Sequence, residues 1–311
     1  MDSATSAIQS LCQNVGRVIT GKEASIRLVV TAMLARGHVL MEDLPGVGKT
    51  MLSRALARSI SCSFRRIQCT PDLLPVDITG YVDPRTREFI PGPVFAQIVL
   101  ADELNRATPR TQSALLEAMG EGQVTVEGVS RALPDPFLVL ATQNPIEHRG
   151  VNDLPEAQLD RFSVQLSLGY PEREDEIRLL GSRAERDPME RLEPVTDDRQ
   201  FLDLIRQTVQ VRMEPSLFGY IVDLIRATRV SSLLATGASP RCALQWMRLA
   251  QASALMQGRG YVIPDDVKAL AIPVLAHRVF PASYPAESVS MTEWKRRCVK
   301  QIVAEVRLPE N

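Results

Sequence analysis

The 311-residue chain has few of the residues that impose a special chemistry. Its five cysteines (12, 62, 69, 242 and 298) are odd in number and include no Cys-x-x-Cys pair. That excludes a disulfide framework or a four-cysteine zinc site and predicts small core residues in a reducing cytoplasm. The three histidines, His38, His148 and His277, are scattered, which reads as structural rather than catalytic. A formal net charge of −1 supplies no whole-chain field for nucleic acid or an anionic membrane. No apolar run approaches the length of a membrane-spanning helix. Met1 to Ser6 lack the basic and apolar regions of a signal peptide. There is no internal repeat and no low-complexity tract. What remains, 45% apolar and 23% charged residues, is an ordinary soluble composition of two-domain length.

What is present is a phosphate-binding pattern. The apolar run Val39-Leu40-Met41 leads through Glu42-Asp43-Leu44-Pro45-Gly46-Val47-Gly48 to Lys49-Thr50, and a helical run from Met51 to Ile60 follows. Strand, glycine-rich loop, Lys-Thr and helix form the P-loop arrangement. Gly46 and Gly48 allow backbone N–H groups to close round a phosphate. The helix N-terminus adds a favourable dipole. Lys49 is suited to the β- and γ-phosphates and Thr50 to Mg²⁺. The strict pattern wants glycine at position 43, where this chain has Asp43. Read alone, the stretch also fits a plain glycine-rich turn before a helix.

The rest of the chain supplies an α/β frame. Strands are expected at Phe64–Cys69, Ile98–Ala101, Phe137–Ala141 and Val164–Leu168, which with the run at 39 make a five-stranded parallel sheet. The unbroken apolar runs at 39, 98 and 137 belong at its centre and the partly polar ones at 64 and 164 at its edges. Gly80 to Ile90 reads as an inserted hairpin or loop, and Val124 to Arg131 as a hairpin pivoting at Glu127-Gly128. Thr108-Pro109 should cap a helix ending at Gly120. After Pro171 the pattern is helical. Glu185 to Thr196 is the expected linker, which divides the chain into a core, 1–190, and an all-helical domain, 191–311. In the latter, Leu217, Ile221, Leu224, Ile225 and Thr228 share one face, and Leu244, Met247 and Leu255 should point inward. Trp246 and Trp294 read as packing residues, and Lys295-Arg296-Arg297 as a solvated face.

Four further sites carry chemistry. Asp102 and Glu103 close a central strand at its C-terminal end, where parallel sheets bind ligands. Asp102 fits a holder of Mg²⁺ and Glu103 the base that polarises a water. A solvated strand end would look the same. Asn144 ends the next strand and could bind a phosphate oxygen and the water together; Asn-Pro is also an everyday turn. Arg161, before the last strand, could neutralise a transferring phosphoryl group across a subunit boundary, or pair with Asp160 or Glu156. Arg241 stands in the first turn of a helix, where the dipole disfavours a cation unless an anion such as a γ-phosphate is near. A solvated Arg there would cost little.

Taken together, these residues resemble the AAA+ ATPases and, more narrowly, the MoxR family. The matching stretches are 41–50, 100–107, 141–147, 154–162 and 237–241, spanning nearly all of the chain. Asp43 is familiar in that family. The resemblance implies an AAA+ P-loop core with a helical lid and Mg²⁺-dependent hydrolysis of ATP in a ring, commonly a hexamer. It also implies chaperone-like work on a protein client, with a von Willebrand factor A domain partner. The insertions near 80–90 and 122–135 would face the ring axis. It adds Asp43 to Met51, with Val18 and Ile19 ahead of the loop, to the nucleotide-binding set. The chain departs from the family pattern at 148–153, near Arg161. A chelatase-type motor for metal insertion, a motor on DNA, and a scaffold that binds ATP without hydrolysing it are the competing readings. The neutral charge speaks against DNA, and Glu103, Asn144 and Arg161 against the scaffold.

Overall fold

The computed structural model describes residues 2–144, 152–185, 187–283 and 289–309. Of the divergent stretch 148–153, positions 148–151 lie outside the described residues. Helices α1 (Asp2–Gly16) and α2 (Glu23–Leu34) precede β1 (His38–Glu42), α3 (Lys49–Ser59) and β2 (Phe64–Gln68). The first insertion is α4 (Pro75–Thr79) with the hairpin β3 (Gly80–Val82) and β4 (Phe89–Pro91). Next come β5 (Ile98–Asp102), α5 (Pro109–Glu121) and the second hairpin, β6 (Gln123–Val126) and β7 (Val129–Ala132). Its turn residues, Glu127 and Gly128, both have positive φ (50° and 78°), as a two-residue hairpin of the favoured twist requires. β8 (Leu138–Gln143), the single turn α6 (Glu156–Leu159) and β9 (Phe162–Leu166) complete the α/β part.

The five long strands pair in parallel in the order β2-β5-β8-β1-β9, with β2 and β9 at the edges as their polar residues led us to expect. Alternation along β1, β5 and β8 builds two cores. Val39, Met41, Ile98, Leu100, Leu138, Leu140, Val164 and Leu166 face the larger one, under α1, α2 and α3. Leu40, Val99, Ala101, Val139, Ala141 and Phe162 face the smaller one, with α5. Both faces are covered, which is why the inner strands read as unbroken apolar runs.

The helical part consists of α7 (Arg173–Glu185), α8 (Asp198–Gln210), α9 (Pro215–Val230), α10 (Pro240–Met256), α11 (Pro264–Ala269), α12 (Ala271–Leu275) and α13 (Met291–Glu305). It is not purely helical. β10 (Leu234–Thr236) pairs antiparallel with β11 (Phe280–Pro281), two segments too short to show a period in sequence. Its apolar residues join the larger core through α10, so Trp246 and Leu249 belong to one cluster with Ile8, Leu11 and Ile26. The expected linker is also pinned. Val195 N–H donates to Ser59 C=O at 3.0 Å, and Asn14 Nδ2 donates to Ser59 Oγ at 3.0 Å and to Glu193 C=O at 2.9 Å.

Two local expectations are corrected. Leu244 is 65% exposed, whereas Cys242, Trp246, Leu249 and Ala250 are buried. Trp246 sets the inward face of α10, and two residues of helix turn about 200° away from it. Helix α5 runs through Gly120 and ends at Gly122, whose φ of 63° supplies the left-handed cap. Gly120 has another reason to lack a side chain, given below.

His38 is buried at the start of β1, its Nδ1 accepting from Val139 N–H at 3.0 Å and its Nε2 3.1 Å from Met119 C=O. Burial, against a smaller opposing effect of that carbonyl, pushes its pKa down to about 4. The unfolded chain binds the extra proton below about 6.5, so stability due to His38 is present above that pH and is lost as pH falls toward 4. Between pH 7 and pH 5 this should cost roughly 2 kcal/mol. Urea unfolding at the two pH values should show a smaller loss for His38→Gln than for the parent; equal losses would sink the assignment.

Candidate active site

The loop after β1 is built for an anion. Gly46 and Gly48 adopt φ of 83° and 98°, open to glycine and strained for any other residue. A Cβ on Gly46 would meet no protein atom within 4 Å, and one on Gly48 only Ile19 Cδ1 at 3.9 Å. The glycines thus answer to backbone shape and to the open space they face. Gly48 is the N-cap of α3 and offers no side chain to its first N–H groups, which are left for a ligand. Lys49 Nζ donates to Asp43 C=O at 3.0 Å, across the loop.

Across a cavity of about 340 Å³ from Pro45, Gly46 and Gly48–Met51 stand Asp102, Glu103, Asn144 and Arg66. The two acids end β5 differently. Asp102 stays in the strand, with Oδ1 accepting from Thr142 Oγ1 at 2.7 Å and Oδ2 from Arg66 Nη2 at 2.6 Å and Nε at 3.1 Å. Glu103 leaves it through a left-handed turn, φ 57°, and its N–H donates to the same Thr142 hydroxyl at 2.8 Å. Its Oε2 accepts from Gln68 Nε2 at 2.9 Å and Arg106 Nη1 at 3.2 Å. Behind them, burial and the two acids push the Cys69 thiol up to about 12, so it is an inert packing group.

The donor chemistry suits Mg²⁺ with a nucleotide. A hydroxyl (Thr50) and a carboxylate (Asp102) line one cavity, and Mg²⁺ takes hard oxygen ligands, typically one or two from protein and the rest from phosphate and water. Arg66 holds Oδ2 of that carboxylate.

Some expected residues lie elsewhere. Asp43 does not line the cavity. Its buried carboxylate accepts from Ser167 Oγ at 2.7 Å and from the backbone N–H groups of Leu168 and Gly169, just past β9. The carboxylate thereby tethers the loop to the turn after β9. Leu44, Val47, Val18 and Ile19 also lie off the cavity lining; Val18 and Ile19 are buried in the larger core, with Val47 packed against it. Ile19 alone of the pair comes close to the loop, at Gly48.

Arg161 and Arg241 are brought together, but away from this cavity. Arg161 immediately precedes β9, whose first residue pairs with His38 at the opposite end of β1 from the loop. Five residues of strand separate the two ends, about 16 Å. Arg161 Nη1 donates to Leu116 C=O at 2.8 Å and lies 1.9 Å from where a Cβ on Gly120 would be, while Arg241 Nη2 lies 3.7 Å from the same point. Arg241 is exposed. Arg241 is not among the residues that line this chain's own cavity.

Sequence reasoning missed Arg66, Gln68, Thr142 and Gly120. Arg66 and Gln68 alternate onto one face of β2, and Gln68 pairs in register with Asp102. The pairing of β2 with β5, not composition, was the signal.

A family model described as the ATPase family associated with various cellular activities matches residues 38–164, and an AAA lid domain model matches 226–294. The chaperone MoxR1 of Mycobacterium tuberculosis is 42% identical over 279 residues, covering 85% of this chain and 73% of that one. The MoxR protein of Paracoccus denitrificans is 33% identical, covering 86% and 87%. The chain belongs to the MoxR family of AAA+ ATPases. Its Bacillus subtilis relative YeaC, itself uncharacterised, is 50% identical over 86% of this chain and 85% of that one. A solved structure of a candidate ATPase from Cytophaga hutchinsonii superposes with a TM-score of 0.89 at 35% identity, covering 99% and 96%. The five-stranded parallel sheet carries its loop and acids at one end. No helix among the described residues is long and apolar enough to cross a membrane.

Proposed function

We propose that this MoxR-family chain hydrolyses ATP with Mg²⁺ as one subunit of a ring, commonly a hexamer, and uses the cycle to remodel a protein client. The observation that carries the reading is the single cavity between Gly46–Thr50 and the Asp102, Glu103 and Asn144 side of the sheet. Lys49 and the α3 N-terminus hold the phosphates; Thr50 and Asp102 hold Mg²⁺, which offsets phosphate charge when bound. Glu103 polarises the attacking water and Asn144 orients it. A scaffold that only binds would have no use for Glu103 and Asn144 at this spot. Arg161, about 16 Å from its own loop by strand length, and Arg241, which meets it at Gly120, serve the pocket of the next subunit. The helical part from 191 onward acts as the lid.

The insertions supply a client surface. Leu74, Val76, Tyr81, Ile90 and Val129 are exposed apolar residues on and beside the two hairpins. Arg131 lies 3.9 Å over the Phe89 ring and joins the hairpins into one unit. A chaperone name for MoxR1 and the family resemblance support a client here, with a von Willebrand factor A domain protein as partner.

Lys49→Ala tests the reading directly. ATP with Mg²⁺ at a hundredfold excess over Kd should stabilise the parent by ~2.7 kcal/mol, and the variant should show no shift in Tm. An equal shift in both would remove the loop from the site. Gly120→Ala tests the paired arginines. A methyl suits a helix and should leave Tm unchanged or raised, yet it takes the place of the Arg161 guanidinium, so turnover should fall while nucleotide affinity holds.

A further inference from the structure

Asp160 directly precedes Arg161, and the sequence left open that the two would form an ion pair. They do not. Asp160 Oδ1 lies 3.1 Å from Nε of Arg278, which is 4% exposed, and Asp160 Oδ2 accepts from Ser239 Oγ at 2.8 Å. The first contact is off the N–H direction, a charge pair more than a hydrogen bond. Arg278 is fixed from every other side, with Nη1 donating to Val274 C=O at 2.9 Å and Nη2 to Phe162 C=O and Gln245 Oε1. Ser239 is the N-cap of α10 and accepts from Cys242 N–H at 3.2 Å.

One carboxylate therefore joins two chain segments distant in sequence, each carrying a cation. Arg161 is its neighbour; Arg241 follows Ser239 by two positions in α10. Both guanidiniums reach Gly120. Arg278 and Ser239 engage Asp160, and among the described residues no ion pair involves Arg161 or Arg241. An anion beside the start of α10 also offsets the dipole cost of a cation in its first turn.

We infer that Asp160, braced by Arg278 and Ser239, is a positioning residue that sets Arg161 and Arg241 in fixed register for the neighbouring subunit's phosphates and keeps both charges free. The inference rests on the reading that these arginines act in trans, and deepens it. Freed from the brace, the two guanidiniums lose alignment, and a misplacement of about 1 Å costs on the order of 100-fold in rate.

The test uses full-length Asp160→Asn, Ser239→Ala and Ser239→Thr. Three measurements are made on each: affinity for a fluorescent ATP analogue, Tm, and turnover alone and after mixing with Lys49→Ala. Asp160→Asn and Ser239→Ala should keep their own nucleotide affinity within about twofold and lose roughly 10- to 100-fold in turnover. Mixing with Lys49→Ala should restore part of it, because the Lys49→Ala subunit brings an intact brace to a working loop. Ser239→Thr, which keeps the hydroxyl, should retain activity. If Asp160→Asn does not fold, Ser239→Ala decides. Parent turnover in Ser239→Ala and in any folded Asp160→Asn overturns the inference, as does a loss that mixing fails to recover while Arg161→Ala is recovered. If Arg161→Ala is not recovered either, the in-trans reading falls and the inference with it.

Discussion

Arg161→Ala is expected to bind ATP as the parent does and to hydrolyse it on the order of 10³-fold more slowly, the scale of a missing arginine finger. The chain's geometry dictates the form of the test. Arg161 sits where β9 begins, beside the His38 end of β1, so its own loop lies at the far end of the strands. Nothing in one subunit brings the two together without unfolding the sheet. In a ring, however, the loop end of one subunit can face the arginine end of the next. Turnover per subunit should accordingly rise steeply with protein concentration through the range where rings assemble. Mixing Arg161→Ala with Lys49→Ala, each nearly inactive alone, should recover part of the activity, because some interfaces then join an intact loop to an intact arginine. No recovery, in rings shown to exchange subunits, would count against the assignment.

Glu103→Gln should slow hydrolysis by about 10²- to 10⁴-fold, the usual share of a general base, with ATP affinity preserved. The amide fills the same space and can keep a contact with Gln68, but it cannot polarise water. Asp102→Asn should instead weaken binding that depends on Mg²⁺, because the negative charge of the carboxylate across the cavity from Thr50 is lost. A fluorescent-nucleotide titration with and without Mg²⁺, alongside a single-turnover phosphate assay, separates the two acids. Parent-rate turnover in Glu103→Gln would mean that another group activates the water.

What the sequence makes legible here is what is local. A loop of glycines before Lys49-Thr50, an acid pair closing an apolar run, and edge strands with polar residues are each written within a few consecutive positions. What it hides depends on partners far along the chain. Arg66 becomes part of the site only because β2 lies beside β5. Gly120 looked like a helix stop because glycine often is one, yet its backbone gives way to a guanidinium arriving from 41 residues on. Arg241 reads as a partner for a γ-phosphate because a helix start with a cation calls for an anion. Asp160, hydrogen-bonded to the cap Ser239, places an anion beside that helix start from 79 residues away in the chain. Leu244, expected inward with Met247 and Leu255, is turned out because the larger Trp246 takes the inward face.

The tether at Asp43 bears on how such loops are recognised at all. A search demanding glycine there would regard this chain as one letter short, and Asp43→Gly would make the spelling conform. That conforming letter should be the worse one. It deletes every bond that the carboxylate makes to Ser167, Leu168 and Gly169, and it adds freedom to a loop already holding glycines at 46 and 48. In this chain the first position of the motif is specified by the turn after β9 and not by the phosphate. Two loops can therefore cradle the same ligand while differing where their surroundings, and not their chemistry, differ.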